Sequence, residues 1–294
     1  MGKALDMESS KVRFNFANGY WFTKYILKEV MSRTGCFETT LDIGFSKTTV
    51  CFDNGRVRVG SFDLDIREID PSEEDRVVLL EENGNIYEVV KRASGFYKLK
   101  AISCCDAPTL EINGIHMHRV RDITPLMDSK MKVRTVGVKK GDVVLDTCMG
   151  LGYTAILSAE SGARKVFSFE IDENVIWIAE RNPWSRKLAS PNITVYNEDV
   201  VRGVTMFPEG FFDKIIHDPP RFSGTTGDLY SLVFYRELYR VLKPGGVLFH
   251  YTGEPRRHGA PRILKGIKER LSQAGFRVLR YDGKTGGFVC YKPF

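Results

Sequence analysis

The residues best suited to chemistry follow short apolar runs in the second half of the chain. Asp146 ends one such run and is followed by Cys148, Gly150 and Gly152. Glycines at these positions let a backbone approach a ligand closely where a helix begins, and helix N-termini favour anionic or polar groups. A dinucleotide-binding motif fits poorly, because Ala155 stands where its third glycine belongs. Taken alone, this loop is more typical of an ordinary turn than of a ligand site.

Two more acids end the apolar runs that follow. Glu170 comes 24 residues after Asp146, a spacing at which an acid ending a strand can accept both hydroxyls of a ribose. Asp199 ends the next run, where a carboxylate can accept a hydrogen bond from the amino group of an adenine. Each acid alone fits a simpler role, Glu170 on the surface and Asp199 as a helix cap. Their order along the chain is what indicates a nucleoside-containing ligand.

A fourth apolar run ends in Asp218-Pro219-Pro220-Arg221, with Phe222 next. Two prolines stiffen a turn and fix the direction of its carbonyl groups. The Asp218 carboxylate and a turn carbonyl can then accept both hydrogens of an amine and direct its nitrogen lone pair. The alternative is a turn with only a structural role.

Taken in order, these motifs resemble those of the class I S-adenosylmethionine-dependent methyltransferases, and most of all the methyltransferases predicted from archaeal genomes. The resemblance implies S-adenosyl-L-methionine as the cofactor. Gly150 and Gly152 would flank its methionine part. Glu170 would hold the ribose, and Asp199 would face the adenine. Cys148 replaces the glycine that the family usually has. The full implied cofactor set is Asp146, Cys148, Gly150, Gly152, Glu170, Ile171, Asp199 and Asp218.

The proline pair resembles the Asn/Asp-Pro-Pro-aromatic signature of methyltransferases that act on planar amines. This resemblance implies Asp218, Pro219, Pro220 and Arg221 as the catalytic set, and we expect Phe222 to contact the substrate. Arg221 takes the place of the aromatic residue that stacks on a base, and an arginine can stack on a base or grip a phosphate. The favoured hypothesis is methylation of a base amine in RNA, with tRNA first.

Strands and helices are predicted to alternate around these motifs from about Pro125 onward. Such alternation predicts an α/β fold with a doubly wound parallel sheet, and the resemblance implies seven strands with the last one antiparallel. We therefore predict a methyltransferase domain over 126–294, preceded by a smaller β-rich accessory domain over 1–125. Apolar spacing predicts a helix over 19–33. Hairpin turns are predicted at three Asn-Gly pairs, namely Asn54-Gly55, Asn83-Gly84 and Asn113-Gly114.

The composition is that of a globular protein with a locally basic margin. The chain has 294 residues, 43% of them hydrophobic, and a net charge of +6, so it can bury a core without disulfides or metals. Residues 251–294 hold 10 Lys and Arg against 3 Asp and Glu. This pattern favours a nucleic-acid partner, and a merely solvated surface is the alternative. We expect Arg256 and Arg257 to contact RNA phosphates, with Lys265 and Lys268 extending the track.

Several classes of protein are disfavoured. No run approaches the ~18 apolar residues of a membrane span, and the first residues lack an apolar signal region, so we expect a cytoplasmic protein. None of the six cysteines forms a Cys-x-x-Cys pair, which predicts free thiols and no structural metal. His217 and His250 end neighbouring predicted strands and could line the site. The oligomeric state stays open.

Two rival functions remain. One is a small-molecule transferase of the same fold, such as a polyamine aminopropyl transferase or a small-amine methyltransferase. A polyamine site needs several acids, and Asp218 and Glu198 are available, but Arg221 beside them argues against a polycation. The other is a non-catalytic binding protein that keeps the fold, against which the intact motifs at Asp218 and Glu170 argue.

Overall fold

The chain forms two compact units. The computed structural model describes residues 8–224, 226–253 and 261–294. The N-terminal unit consists of residues 14–128 and 174–187, and the C-terminal unit of residues 8–13, 129–173 and 188–294. The predicted division falls after residue 125, and three segments group differently: 8–13 with the C-terminal unit, and 126–128 and 174–187 with the N-terminal unit.

The described part of the chain contains nineteen strands, seven α-helices and several short 3-10 turns. The strands are β1 (Lys11–Val12), β2 (Gly19–Phe22), β3 (Gly35–Thr39), β4 (Thr48–Asp53), β5 (Arg56–Val59), β6 (Phe62–Asp65), β7 (Val78–Glu81), β8 (Ile86–Glu88), β9 (Val90–Arg92), β10 (Phe96–Lys100), β11 (Thr109–Ile112), β12 (Ile115–His116), β13 (Val143–Asp146), β14 (Lys165–Glu170), β15 (Ile193–Asn197), β16 (Phe212–His217), β17 (Leu242–Tyr251), β18 (Arg277–Asp282) and β19 (Gly287–Tyr291). The helices are α1 (Lys24–Met31), α2 (Pro125–Val136), α3 (Tyr153–Glu160), α4 (Glu173–Glu180), α5 (Val200–Gly203), α6 (Leu232–Val241) and α7 (Pro261–Gln273).

The N-terminal unit is built from three small antiparallel sheets, in the orders β12-β11-β10-β9, β2-β7-β8 and β3-β4-β5-β6. Helix α1 packs its apolar face into the core that the second and third of these sheets share, through Ile26, Leu27 and Val30, each at most 1% exposed. The segment 174–187 is bound to this unit by specific polar contacts. The Trp184 indole, for example, donates to the Ile43 carbonyl at 2.9 Å.

Two of the three predicted turns have the backbone that a two-residue hairpin requires. Asn54 and Gly55 have φ of 50° and 75°, and Asn113 and Gly114 have φ of 49° and 81°. Each pair joins adjacent antiparallel strands, β4 to β5 and β11 to β12. Asparagine and glycine tolerate positive φ better than other residues do, so the sequence signal and the structure share one cause.

Two other predictions for this unit need correction. Strands β7 and β8 do form a hairpin, but around a four-residue loop in which Gly84 has positive φ and Asn83 does not. The helix predicted over 19–33 is wrong in its first part, because residues 19–22 form β2 and pair with β7. Thr23 then caps α1 by accepting from the Ile26 amide at 3.2 Å, so helix formation starts only beyond it.

The prediction of free thiols is wrong for Cys36 and Cys51, which form a disulfide. They face each other directly on the antiparallel strands β3 and β4. Strand pairing brings directly opposed side chains within reach of one another, and this register cannot be deduced from cysteine spacing.

The C-terminal unit contains one mixed sheet in the order β1-β15-β14-β13-β16-β17-β19-β18. Strands β15, β14, β13, β16 and β17 are parallel, and the last strand, β19, runs antiparallel to both of its neighbours. The expected count of seven strands is one short, because β1 pairs with β15 at the edge of the sheet. Its two residues carried no signal that predicted a strand.

Strand order in this sheet creates a reversal point at its centre. From β13 the chain builds outward through β14 and β15, and then returns to the other side of β13 with β16 and β17. Open α/β sheets bind ligands beyond the carboxyl ends of the strands at such a point. Asp146 ends β13 and Glu170 ends β14, while Asp199 and Asp218 follow β15 and β16. The topology therefore brings all four predicted acids to one edge.

Candidate active site

Asp146 is fully buried at the end of β13. Its carboxylate accepts hydrogen bonds from the Thr154 hydroxyl at 2.9 Å and the Ser168 hydroxyl at 2.6 Å. Burial raises the pKa of Asp146 to about 7, against the opposing effect of these two hydrogen bonds. The side chain thus ties the end of β13 to helix α3 and to strand β14, and it fixes the loop between them.

The loop after Asp146 is shaped by two glycines. Gly150 and Gly152 have φ of 55° and 78°, a region that side chains other than glycine adopt at a cost. A Cβ on Gly152 would also lie 2.5 Å from a methyl carbon of Leu188. Helix α3 begins at the next residue, Tyr153. The predicted tight turn into a helix is confirmed in its geometry.

Glu170 closes this loop from the neighbouring strand. One carboxylate oxygen accepts from the Gly150 amide at 3.1 Å, and the other accepts from the Asp172 amide at 3.0 Å. Burial raises the pKa of Glu170 to about 7. The next residue, Ile171, leaves 68% of its apolar surface exposed. The Glu170 carboxylate and the exposed apolar side chain of Ile171 are therefore neighbours at this edge of the sheet.

Three carboxylates act together on the thiol of Cys148. Burial is the main reason why the pKa of Cys148 rises well above its ordinary value. The charges of Glu170, Asp146 and Asp218 add to that rise. The strand register shows the same geometry, because Asp146 lies beside Ser168 of β14 and Ile216 of β16, so the ends of these three strands meet at the loop.

Asp199 serves as the N-cap of α5. Its carboxylate accepts from the Val201 amide at 2.9 Å. The helix-cap interpretation thus describes the contact that the structure shows. A carboxylate has about four acceptor positions, so the cap leaves contact with an adenine as a prediction.

Asp218 forms an ion pair that the sequence did not indicate. Its carboxylate accepts from the ammonium of Lys132 at 2.6 Å, with 19% of the Asp218 side chain exposed and 3% of the Lys132 side chain. The same ammonium lies 4.2 Å from the centre of the Tyr251 ring. Lys132 comes from helix α2, far from any motif, which explains why no spacing rule could find it.

The turn after Asp218 is fixed by Tyr230, another residue that sequence reasoning missed. The Tyr230 hydroxyl donates to the Pro220 carbonyl at 2.7 Å. Pro219 is buried, whereas Arg221 is exposed. Phe222 is half exposed and packs edge-on against the Tyr230 ring, with centroids 5.3 Å apart. Since Tyr230 already bonds the Pro220 carbonyl, the Pro219 carbonyl is the better candidate to accept from an amine.

The hypothesis that His217 and His250 line the site is wrong, because both rings are fully buried. Burial lowers the pKa of both, to about 4 for His250. The Nδ1 of His217 lies 2.7 Å from the Thr147 hydroxyl, and the Nε2 of His250 lies 2.6 Å from the Tyr235 hydroxyl. The two neutral rings form hydrogen bonds in the core and so stabilise the ends of β16 and β17.

The basic margin divides into structural and exposed side chains. Arg270 donates to the Tyr230 carbonyl at 2.8 Å and Lys292 donates to the Tyr239 carbonyl at 3.0 Å, so both stabilise the unit. Other basic residues stay exposed, namely Arg262, Lys265, Lys268, Arg277, Arg280 and Lys284. Arg256 and Arg257, the predicted phosphate contacts, lie outside the described residues.

Within the part of the chain that the structure describes, no group of three or more His, Cys, Asp or Glu side chains is arranged to hold a metal ion. Among its helices, none combines the length and the apolar character needed to cross a membrane.

The fold and the sheet edge define an α/β protein with the fold of the class I S-adenosylmethionine-dependent methyltransferases. No protein family model matches the chain. The chain is 40% identical over 235 residues to an uncharacterised protein of Methanocaldococcus jannaschii, a match that covers 80% of each chain. It belongs to the same family as that protein.

Relatives with named activities match over shorter stretches. A proposed protein N5-glutamine methyltransferase of Methanocaldococcus jannaschii is 30% identical over 38% of this chain and 53% of its own length. A polyamine aminopropyltransferase of Thermoplasma volcanium is 28% identical over 49% of this chain and 51% of its own. The chain thus spans about half the length of these two relatives. A solved spermidine synthase with a bound transition-state analogue superposes with a TM-score of 0.54 and 21% identity, over 68% of this chain and 71% of that one.

The raised pKa of Asp146 predicts how stability depends on pH. Because the pKa is about 7 in the fold against an ordinary 3.8, the unfolded chain releases this proton first, and stability falls as pH rises from about 4 to about 7. Asp146→Asn removes this term. We expect the variant to gain stability relative to the wild type across that window and to level off above it, as measured by denaturant unfolding at several pH values. The exposed Asp228→Asn is the control, and a pH-independent difference for Asp146→Asn would contradict the argument.

Proposed function

We propose that the protein is an S-adenosylmethionine-dependent N-methyltransferase that acts on a base amine in RNA. One observation carries the proposal. The Glu170 carboxylate, which closes the glycine loop, and the Asp218-Pro219-Pro220 turn stand at the same edge of the sheet, on the two strands that flank β13. This arrangement supports a role for Glu170 in holding a nucleoside and for the turn in holding an amine, on either side of β13.

The residues at this edge fit S-adenosylmethionine. Glu170 offers carboxylate oxygens to the ribose, and the exposed Ile171 offers an apolar surface to the adenine. The positive-φ turn at Gly150 and Gly152 keeps side chains out of the space beside the loop. Once ionised, the Glu170 carboxylate beside the loop favours a cationic sulfonium. Bound there, S-adenosylmethionine supplies a methyl group that an acceptor nitrogen can take.

Asp218 is the residue that we assign to the acceptor. It already accepts from Lys132, and a carboxylate has room for more than one donor, so it can also accept from an amine hydrogen. The Pro219 carbonyl supplies the second acceptor, held in place by the Tyr230 bond to the next carbonyl. Two fixed acceptors orient the nitrogen lone pair, and orientation is the main contribution that a site of this kind makes.

Exposed positive charge supports RNA as the acceptor. Arg221 lies beside the turn and is exposed, where it can stack on a base or bind a phosphate. Lys265 and Lys268 project from α7, which follows β17 at the carboxyl edge of the sheet. Phosphate contacts from such residues would position an RNA, while the turn would select the amine.

Aminopropyl transfer is the second candidate. It is favoured by the similarity to the Thermoplasma volcanium aminopropyltransferase and by the spermidine synthase fold. The reaction products distinguish the two activities. We expect methylated nucleosides when the protein acts on RNA with S-adenosylmethionine, detected by mass spectrometry. Spermidine formed from putrescine and decarboxylated S-adenosylmethionine, with no methylated nucleoside, would replace our proposal with this candidate.

Glu170→Ala should weaken S-adenosylmethionine binding about tenfold or more, because a charged hydrogen bond is worth roughly 1.5–3 kcal/mol. The wild-type affinity should also rise as pH increases through about 7, where Glu170 ionises, and Glu170→Gln should lose this dependence. Calorimetry at pH 6 and pH 8 measures both effects. The exposed Glu173→Gln in the same region is the matched control, and unchanged affinity in Glu170→Ala would remove this residue from the site.

Asp218→Ala and Asp218→Asn should abolish methyl transfer while leaving the affinity for S-adenosylmethionine nearly intact. The reason is that the proposal assigns Asp218 to the acceptor alone and no longer to the cofactor set that the resemblance implied. The measurement pairs transfer of a labelled methyl group to RNA with calorimetry of cofactor binding. Transfer near the wild-type rate in either variant would show that Asp218 does not orient the amine.

Neutralising Lys265 and Lys268 together should weaken RNA binding and flatten its salt dependence. Each lost phosphate contact reduces the slope of log K against log salt by a little under one unit. The measurement is RNA binding by the double Gln variant at several salt concentrations. The control is Lys139→Gln with Lys140→Gln, exposed residues that precede β13 at the opposite edge of the sheet. Equal slopes for the wild type and the α7 variant would mean that this margin is only solvated surface.

A further inference from the structure

Lys132 is a buried cation at the candidate acceptor site. Its side chain is 3% exposed, and its ammonium lies 2.6 Å from an Asp218 carboxylate oxygen. Lysine is almost never fully buried unless it is paired. Lys132 pairs with Asp218, which follows β16 directly and is expected to contact the acceptor.

The surroundings of this ion pair hold the ammonium in place. Helix α2 supplies Lys132, and strand β17 supplies the Tyr251 ring, whose centre lies 4.2 Å from the ammonium. A cation this close to an aromatic ring is attracted to it, more strongly where water is excluded. Two independent contacts thus fix the positive charge beside the Asp218-Pro219-Pro220 turn.

A fixed cation changes what the turn can bind. Asp218 without Lys132 would present a negative charge, which attracts an ammonium. With Lys132 bonded to it, the pair is neutral overall, and an incoming ammonium at Asp218 would meet a like charge a few ångströms away. The charges of Asp218 and Lys132 also act in opposite directions on Asp146, whose pKa Asp218 raises and Lys132 lowers.

We infer that Lys132 is a specificity-determining positioning residue, which restricts the acceptor to an uncharged nitrogen such as an aromatic amine or amide and rejects alkylammonium groups. This inference rests on the proposed function and narrows it. Exocyclic base amines are uncharged at neutral pH, whereas polyamines are polycations. The same site that suits a base amine therefore opposes the substrate of an aminopropyl transferase.

A purely structural role for Lys132 makes a different prediction. If Lys132 only packed α2 against the sheet, its loss would lower stability without changing the charge of the ligands that Asp218 binds. If it sets specificity, its loss should expose the Asp218 charge to cations. Lys132→Met keeps most of the length of the unbranched side chain and removes the charge, so it separates the two roles.

The experiment is calorimetric titration of the full chain with spermidine at low salt. We expect the wild type to bind spermidine weakly and Lys132→Met to bind it at least about tenfold more tightly, the change that one charged hydrogen bond can produce. The double variant Lys132→Met with Asp218→Asn should return to the wild-type affinity. Lys132→Arg, which keeps the charge, should also behave like the wild type. Lys132→Gln provides the same test if the Met variant does not fold.

Three outcomes would overturn the inference. Equal spermidine affinity in the wild type and in the folded neutral variants would show that Lys132 does not set charge selectivity. A gain that persists in the double variant would place the new site away from Asp218. Tight binding of spermidine by the wild type would overturn both this inference and the proposed function. Failure of the proposed function alone appears elsewhere, as a lack of methyl transfer to RNA.

Discussion

The candidate site depends on one buried carboxylate at the end of the central strand. Asp146 bonds to the Thr154 hydroxyl of α3 and to the Ser168 hydroxyl of β14. These contacts join β13, α3 and β14 at one point. The glycine loop then has a fixed start, so Glu170 can reach its Gly150 amide from the neighbouring strand. Loss of water around Asp146 raises its pKa, and the hydroxyl contacts partly offset that cost.

An ion pair offsets part of the negative charge that this arrangement brings together. Bringing four strand ends together at one edge also brings their carboxylates together, and like charges at close range destabilise a fold. Lys132 offsets part of that charge by bonding to Asp218. The topology therefore creates both the electrostatic problem and the place where a cation is most favourable. The ammonium of Lys132 comes from α2, a helix that precedes the alternating strands and helices of the sheet.

The sequence predicted the C-terminal unit better than the N-terminal one, for physical reasons. Strands β13 to β16 contain buried apolar residues, and each ends at an acid or directly before one, so composition and position agree. The short strand β1 and the β2 segment at Gly19 depend on pairing with distant partners, Tyr196 and Glu81, which local periodicity does not encode. The disulfide between Cys36 and Cys51 depends on strand register in the same way.

The residues of the candidate site also differ in whether the local sequence could predict them. Residues that act through the local chain, such as the Gly150–Gly152 turn and the Asp199 cap, were predictable because their geometry follows from nearby sequence. Lys132 and Tyr230 were not, since each acts on the site through a contact with a residue from another element. These unpredicted contacts fix the turn. Tyr230 donates to the Pro220 carbonyl, and the Lys132 ammonium offsets the negative charge of the Asp218 carboxylate. A motif gives the residues of such a site, and the tertiary structure gives its charge.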